Sequence, residues 1–243
     1  LFSSVLEPKM NPMDYRYVLD DKLLLPLFCV GVEHVRTPRT YYSVCDGICF
    51  DEEKNIVYYG PAEKKHIFYK AKNTIIKPVQ DTSSGVGVEK IKGIEAIKNN
   101  LQEKAAKKGT YIVQECITQN EQLAMLYSEA VNTFRVITYL WDGEVFHVPL
   151  ALRIGQGGSY LDNAHAGGMF IGVNDLGELN DEAFTEFGKR YKEHPDTHTV
   201  FKGYKLSFVP ELIKTAKKLH LNAPQLGIIS WDLTVDQNGV FVL

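Results

Sequence analysis

Thr74-Ile-Ile-Lys-Pro78, then Val79-Gln80, then Asp81-Thr-Ser-Ser-Gly-Val-Gly-Val88, is the stretch on which the reading of the chain turns. Two isoleucines ahead of a proline predict a short strand, and Lys77 falls at its end. An ammonium at the end of a buried strand is costly to desolvate unless it reaches an anion. Ser83, Ser84, Gly85 and Gly87 make a loop of small residues. Backbone N–H groups in such a loop can approach phosphate oxygens closely. No Gly-Lys-Ser/Thr follows, so the loop is not of the Walker A type. A strand-edge lysine beside an ordinary turn would leave the same residues, and this stretch alone leaves both readings open.

Downstream, Ile91, Ile94, Ile97 and Leu101 recur at helical spacing and predict a helix from Ile91 to Lys108, closed by Gly109. Tyr111 to Cys116 predicts a strand, and Thr133–Trp141 with Glu144–Leu152 a hairpin about Asp142–Gly143. Gly155 to Gly168 has five glycines and no hydrophobic period, the sort of connection kept for function. Ile171–Val173 reads as a strand before an Asp175–Gly177 turn, and Asp181–Lys192 and Phe208–Leu219 as helices. Ile228–Val235 and Val240–Leu243 predict a last hairpin about Asn238–Gly239. Upstream, Asp20–Val30 reads as a helix with Pro26 disturbing its middle. Thr40–Val44 and Ile56–Tyr59 read as strands, with an Asp46–Gly47 turn between them. This order is mixed α+β, with antiparallel hairpins dominating the second half.

Charged residues fall at informative places within these elements. Asp232 lies in an apolar strand, on the face of Ser230 and Thr234 by alternation. A carboxylate there wants a cation, which Mg²⁺ or a structural Lys or Arg could supply. Asp236 belongs to the following turn. Arg135 and Arg153 lie on opposite strands of one hairpin, so both can point the same way. Their forks suit phosphate or carboxylate, although pairing with surface acids would use them equally well. Asp162–Asn163 stand ahead of Ala164-His-Ala-Gly-Gly168 in the glycine-rich loop, and His194 and His198, flanking Pro195–Asp196, read as loop histidines.

Composition narrows the classes. The chain has 243 residues, 44% of them hydrophobic and 23% charged, as in an ordinary soluble protein of one large domain or two lobes. A formal net charge of -3 argues against a duplex nucleic-acid binder, which needs a basic face. The four cysteines (Cys29, Cys45, Cys49, Cys116) are too few for a disulfide scaffold. Cys45 and Cys49 resemble half of a zinc site, but no second pair follows at ligand spacing, so reduced thiols are expected. The most apolar run, Leu23 to Val32, is short and contains Pro26, and no membrane insertion is expected of it. No signal peptide is visible, and a cytoplasmic protein is expected. Neither a Gly-x-Ser-x-Gly elbow nor a His-Glu-x-x-His helix is present, and Gly155-x-Gly157-Gly158 lacks the third glycine of a dinucleotide fingerprint.

The order of the pieces carries the strongest reading. Lys22 in Asp20-Asp-Lys22, Thr37-Pro38, Ile76-Lys-Pro78 with its glycine loop, Val113-Gln-Glu-Cys-Ile117, Asn132-Thr-Phe-Arg135, Asn163 with Gly167-Gly168, and Trp231-Asp232 follow one another. In that order, and over nearly the whole chain, they resemble the ATP-grasp superfamily. The likeness is greatest to its sugar-transfer-associated branch, which is linked to cell-surface polysaccharide biosynthesis. The resemblance implies an α+β ATP-grasp fold: lobes at 1–110 and 111–243 with antiparallel sheets, and nucleotide in the cleft between them. It implies that Lys22 and Lys77 reach phosphates beneath a lid of Ser83, Ser84, Gly85 and Gly87. Gln114 to Ile117 would pair with adenine through the backbone, with Glu115 as a side-chain contact.

Asn132 or Thr133 falls where relatives often hold ribose with an acid, which is a departure from the pattern, and Arg135 stands beside them as a nucleotide contact. Arg153, Asp162 and Asn163 resemble the triphosphate and acyl-phosphate side, with Arg153 and Asn163 in catalytic roles. Asp232 resembles the first metal-binding acid. The other two ligands, a Glu and an Asn two residues apart, would fall just after Leu243, so most of the Mg²⁺ site is expected to lie outside this sequence and the activity of the 243 residues alone is expected to be poor. The implied function is an ATP- and Mg²⁺-dependent ligase joining a carboxylate to an amine through an acyl-phosphate, on an unidentified carboxylate, amine or sugar substrate. Glycan-synthesis enzymes are the implied partners. An ATP-grasp kinase and a non-catalytic nucleotide-binding module are the alternatives.

Overall fold

The computed structural model describes residues 5–11, 18–57, 73–80, 87–107 and 109–242. They form two compact units, one of Leu1–Leu19, Leu24–Thr37 and Thr118–Leu243, the other of Asp20–Leu23 and Pro38–Ile117. The class is the expected α+β, with two sheets whose pairings are antiparallel except between the first strand and the last. The units are not the simple halves 1–110 and 111–243, because Tyr111–Glu115 pairs inside the first sheet while residues 24–37 pack with the second half.

After β1 (Val35–Arg36), the smaller sheet is built from β2 (Thr40–Cys45), β3 (Ile48–Asp51), β4 (Ile56–Val57), β5 (Asn73–Pro78), β6 (Glu89–Lys92) and β7 (Tyr111–Glu115). Their order is β4-β3-β2-β7-β5-β6. Asp46 and Gly47 both take positive φ, and their turn joins β2 to β3 rather than to Ile56 as expected. Thr74 and Ile76 are fully buried, which leaves Lys77 on the opposite side of β5, half-buried. Ile91 keeps helical spacing with Ile97 yet belongs to β6, paired with Thr74. Gly93, at φ 88°, separates it from the helix, which begins only at Ile94. Gly109 does not close that helix through a left-handed cap; a Cβ there would meet the Tyr111 ring.

The larger sheet comprises β1, β8 (Thr133–Trp141), β9 (Glu144–His147), β10 (Leu150–Ile154), β11 (Met169–Val173), β12 (Ala183–Thr185), β13 (Arg190–Tyr191), β14 (Ile228–Val235) and β15 (Val240–Val242). Their order is β1-β15-β14-β8-β10-β11-β12-β13, with β9 against the far end of β8. Asp142 and Gly143 both take positive φ, as a two-residue hairpin turn demands. The return strand is broken at Val148–Pro149, where proline has no N–H for the ladder.

The helices are α1 (Glu7–Met10), α2 (Leu25–Phe28), α3 (Ile94–Ala106), α4 (Glu121–Leu126) and α5 (Val209–Leu221). Asp20–Val30 is not one helix: Asp21 accepts from the Leu23 N–H, and Pro26 opens the single turn of α2. Asp181–Lys192 is not a helix either. Phe184 lies against Phe170 across β11 and β12, and Gly188 at φ 78° turns the chain into β13, so pairing with the sheet edge overrides a helical period. One face of the large sheet is the core. Phe134, Val136, Leu152, Ile171, Trp231 and Leu233 pack there with Leu123 and Leu126 of α4 and Leu212, Ala216 and Leu219 of α5. Among the described residues, no helix is long and apolar enough to cross a membrane.

Candidate functional site

Alternation along β8, β10 and β14 puts the charged residues on the face away from that core. Register pairs Asp232 with Arg135, and Arg153 with Thr133. Asp232 is fixed from the other side by its neighbour Trp231, whose indole donates to Thr138 Oγ1 at 2.9 Å. Thr138 in turn bonds His220 Nδ1 at 2.7 Å, and His220 Nε2–H donates to the Leu226 carbonyl at 2.8 Å. That ring is buried in the core, and burial pushes its pKa down, so it serves as a neutral strut.

The two arginines close on one carboxylate. Arg135 Nε lies 2.7 Å from Asp232 Oδ1, and Arg153 Nη2 lies 3.0 Å from Asp232 Oδ2. Arg135 Nη1 also donates to Ser230 Oγ at 3.1 Å. Arg153 gives Nε and Nη2 to Thr133 Oγ1, at 2.8 and 2.6 Å, and Nη1 to Asn163 Oδ1 at 3.2 Å. The Thr133 hydroxyl, having accepted twice, donates to Asp162 Oδ2. Asp162 is almost wholly buried. Burial pushes its pKa up, against the opposing pull of Arg153 3.5 Å away and of the Thr133 hydroxyl.

Raised pKa values have a sign in stability. What a neutral Asp162 contributes is fully present below the unfolded pKa and is lost as pH rises through the folded one. Asp162→Asn removes that loss. The melting temperature of the variant relative to the parent is therefore expected to rise between acid and neutral pH. Thermal unfolding followed across that range checks this, and a difference that falls as pH rises would contradict it.

Asp162 and Asn163 reach Arg153 because their loop is pinned at both ends. At the start, His194 Nε2–H donates to the Gly155 carbonyl at 2.8 Å, with the ring fully buried and stacked on Tyr127 at 5.3 Å. A side chain on Gly155 would strike Tyr127 and Ala130. Asp196 accepts from the Gly157 N–H at 2.6 Å. At the end, Gly168 N–H donates to the Asn163 carbonyl at 2.9 Å. His194 is thus a structural loop histidine, as its sequence setting suggested. Gln119 was missed: it holds the Tyr127 and Ala130 carbonyls and accepts from Asn132. A lone Gln in a loop carries no sequence signal for that role.

Asn132, one of the two positions read as a ribose contact, is fully buried. Its amide nitrogen is shared among Gln119 Oε1, Leu123 O and Tyr127 O, and its oxygen accepts from the Gly155 N–H. No N–H of that side chain is left over for a sugar. Thr133 is also buried, within the arginine cluster.

In the other unit, Lys22 comes to the end of β5, its Nζ donating to the Val79 carbonyl at 3.1 Å, two residues past Lys77. Ser83, Ser84 and Gly85 lie outside the described residues. Gly87 is described, at φ 75°, and packs so close to Pro78 that a Cβ would touch its ring. β5 and β6 form an antiparallel hairpin, so the small-residue stretch is its connection. Gln114 is buried, its amide donating to Pro38 O at 3.2 Å and Thr40 Oγ1 at 3.1 Å, while its own buried oxygen has no partner among the described residues. Glu115 Oε1 accepts from the Arg39 N–H at 2.8 Å, and its own N–H donates to the Arg39 carbonyl. Ile117 follows the end of β7, outside the ladder.

The fit to a metal is incomplete. Asp232 offers one carboxylate already engaged by two guanidiniums, and the described residues contain no group of three His, Cys, Asp or Glu side chains able to hold an ion. They do not make up a magnesium site by themselves.

Comparisons with known proteins agree on the fold. A model of the family described as sugar-transfer associated ATP-grasp matches residues 1–243. An L-amino acid ligase from Bacillus licheniformis superposes with a TM-score of 0.51 at 12% identity, covering 95% of this chain and 41% of that one. N5-carboxyaminoimidazole synthetase from Staphylococcus aureus, solved with ADP, gives 0.52 at 10%, covering 93% and 44%. The chain thus spans well under half the length of these solved relatives. No curated protein matches the sequence significantly.

Proposed function

Because the chain belongs to the sugar-transfer associated ATP-grasp family, we propose that it is an ATP-dependent ligase that joins a carboxylate to an amine through an acyl-phosphate. The observation that carries the reading is the convergence of Arg135, Arg153, Asp162 and Asn163 on one sheet face. The cluster is suited to gripping and stabilising anions. In the reaction, a carboxylate oxygen attacks the γ-phosphorus of ATP, and the bond to the departing ADP oxygen breaks. The amine nitrogen then attacks the acyl carbon, inorganic phosphate leaves, and the amine proton passes to solvent. Arg153 would hold charge as it develops on the transferred phosphoryl group, and Asn163 would fix the orientation of its guanidinium. Magnesium enters only as the counter-ion that nucleotide brings to its phosphates. A glycan acceptor in cell-surface polysaccharide biosynthesis, alongside other glycan-synthesis enzymes, is supported by the family description alone. A cytoplasmic location belongs to the same reading, since ATP is available there.

Lys22 and Lys77, with the segment 81–88, are proposed as the phosphate-binding groups of the smaller unit. Lys77→Ala is expected to weaken ATP binding by roughly ten- to hundredfold, since a charge-assisted hydrogen bond is worth about 1.5–3 kcal/mol. Calorimetry with ATP reads this directly, and unchanged affinity in a folded variant would remove Lys77 from the site. The ligase reading is tested on the full-length protein supplied with ATP, carboxylates and amines. ADP and phosphate should form only when both acceptors are present. A phosphorylated product accumulating without amine would mean a kinase, and AMP with pyrophosphate would mean adenylation.

A further inference from the structure

The arginine cluster does not end at β10. Register carries the row Thr133–Arg153 on to Phe170 of β11, Phe184 of β12 and Arg190 of β13, all on the sheet face opposite the core. Met169 and Ile171, to either side of Phe170, are fully buried, whereas Phe170 stays 39% exposed. Its ring lies 6.1 Å from that of Phe184 at an interplanar angle of 25°, and the Arg190 guanidinium sits 5.3 Å from the Phe184 centroid. One exposed phenylalanine needs no explanation, but two held parallel in line with guanidiniums make an ordered apolar shelf.

The shelf has a polar border. In the neighbouring row, Ala151 and Gly172 stand side by side beyond Arg135. At Gly172 the Asn180 amide stands where a Cβ would be. The loop that gives Asn163 to Arg153 continues to His165, whose Nδ1 meets Glu186 Oε2 at 2.6 Å in the β12–β13 turn. Amides at Asn163 and Asn180 and the His165–Glu186 pair therefore edge an aromatic surface whose inner end is cationic. A small-molecule site combines these features: apolar walls with a few converging polar groups.

We propose that this face seats the acid substrate of the ligase reaction, and that the substrate is a carboxylated pyranose. Its C–H face lies against Phe170 and Phe184, its hydroxyls meet the amide border, and its carboxylate points to Arg153. The assignment rests on the ligase reading for the acid's role, but binding at the shelf can be measured without ATP.

D-glucuronate is the probe, titrated against the full-length protein by NMR saturation transfer and calorimetry, with glucose and cyclohexanecarboxylate as comparators. Glucuronate should bind, with transfer strongest to its ring C–H protons, and glucose should bind about tenfold more weakly for want of the charged contact. Phe184→Leu, which keeps the apolar volume, and Phe170→Ala should each weaken glucuronate about tenfold while leaving ATP affinity unchanged, which also reports that the variants are folded. Glucuronate affinity untouched by both substitutions, or no glucuronate binding at millimolar concentration, would overturn the shelf. Cyclohexanecarboxylate binding as tightly as glucuronate would overturn the assignment to a sugar. Binding at the shelf with no ADP formed from ATP, glucuronate and amines would leave the shelf standing and count against the ligase reading instead.

Discussion

Arg153→Ala should abolish ADP formation and lower the stability of the larger unit by about 3–5 kcal/mol, the usual cost of stripping one partner from a buried ion pair. The size follows from how much depends on this side chain. Arg153 supplies both N–H groups that Thr133 accepts, the one that Asn163 accepts, and charge to Asp162 and Asp232. Without it, Asp162 is left buried without its cation, and the loop loses its tie to β10. Arg153→Lys separates charge from geometry. An ammonium can face Asp232 but cannot serve Thr133, Asn163 and a phosphate together, so much of the stability should return while turnover stays at least about a hundredfold down. Denaturant unfolding and phosphate release measure the two effects. A lysine variant with parental turnover would show that the fork is not used in the reaction.

Gly168→Ala is expected to have the second-largest effect, without altering any charged group. A Cβ at that position would lie inside contact distance of the Asp162 carbonyl and close to the Asn163 carbonyl, both backbone atoms that cannot rotate away. The loop has to shift, at a cost of about 1–3 kcal/mol for forced overpacking. Asp162 and Asn163 would shift with it, and the 3.2 Å contact from Asn163 to Arg153 should open. Loss of turnover greater than the loss of nucleotide affinity is the expected signature, read from kcat and KM together with a melting curve. Gly167→Ala is the control. Its left-handed φ makes it strained too, but nothing lies within contact of its Cβ, so any effect there reports backbone strain rather than collision.

The cluster around Arg153 was legible only in part. Alternation along β8 and β14 puts Asp232 on the side of Arg135, but Arg153 joins them because the break at Val148–Pro149 shifts the register by one residue, from Thr138 opposite His147 to Arg135 opposite Ala151. What failed depended on tertiary choice. Ile91 satisfies a helical period as well as a strand, and only its pairing with Thr74 decides. Phe184 and Tyr191 fit an amphipathic helix on paper, yet an open sheet edge at β11 captures them. Asn132 looks like a ligand residue in one dimension. In three, its amide is spent on the Leu123 and Tyr127 carbonyls at the end of α4. Nothing in sequence spacing could say that Phe170 and Phe184 would stand in line with Arg153, because these three residues sit on three different strands, β10, β11 and β12.

The sheet order also sets a sequence of events during synthesis. The smaller unit is drawn almost wholly from one continuous stretch, Pro38–Ile117, with local pairs β2–β3 and β5–β6 and a longer one that closes β2 on β7, Thr40 opposite Gln114. It can be completed once that stretch has left the ribosome. The larger unit cannot, because β1 waits for Val240, and Asn11 bonds Ile228 across 217 positions. Until the C-terminal hairpin is made, β8 lacks its β14 neighbour and presents Phe134 and Val136 beside an unpaired edge. Long-range pairing of this kind is slow and prone to association while it is incomplete. The nascent chain therefore passes through a stage with one finished unit and one half-built sheet, which is the stage a holdase chaperone would meet.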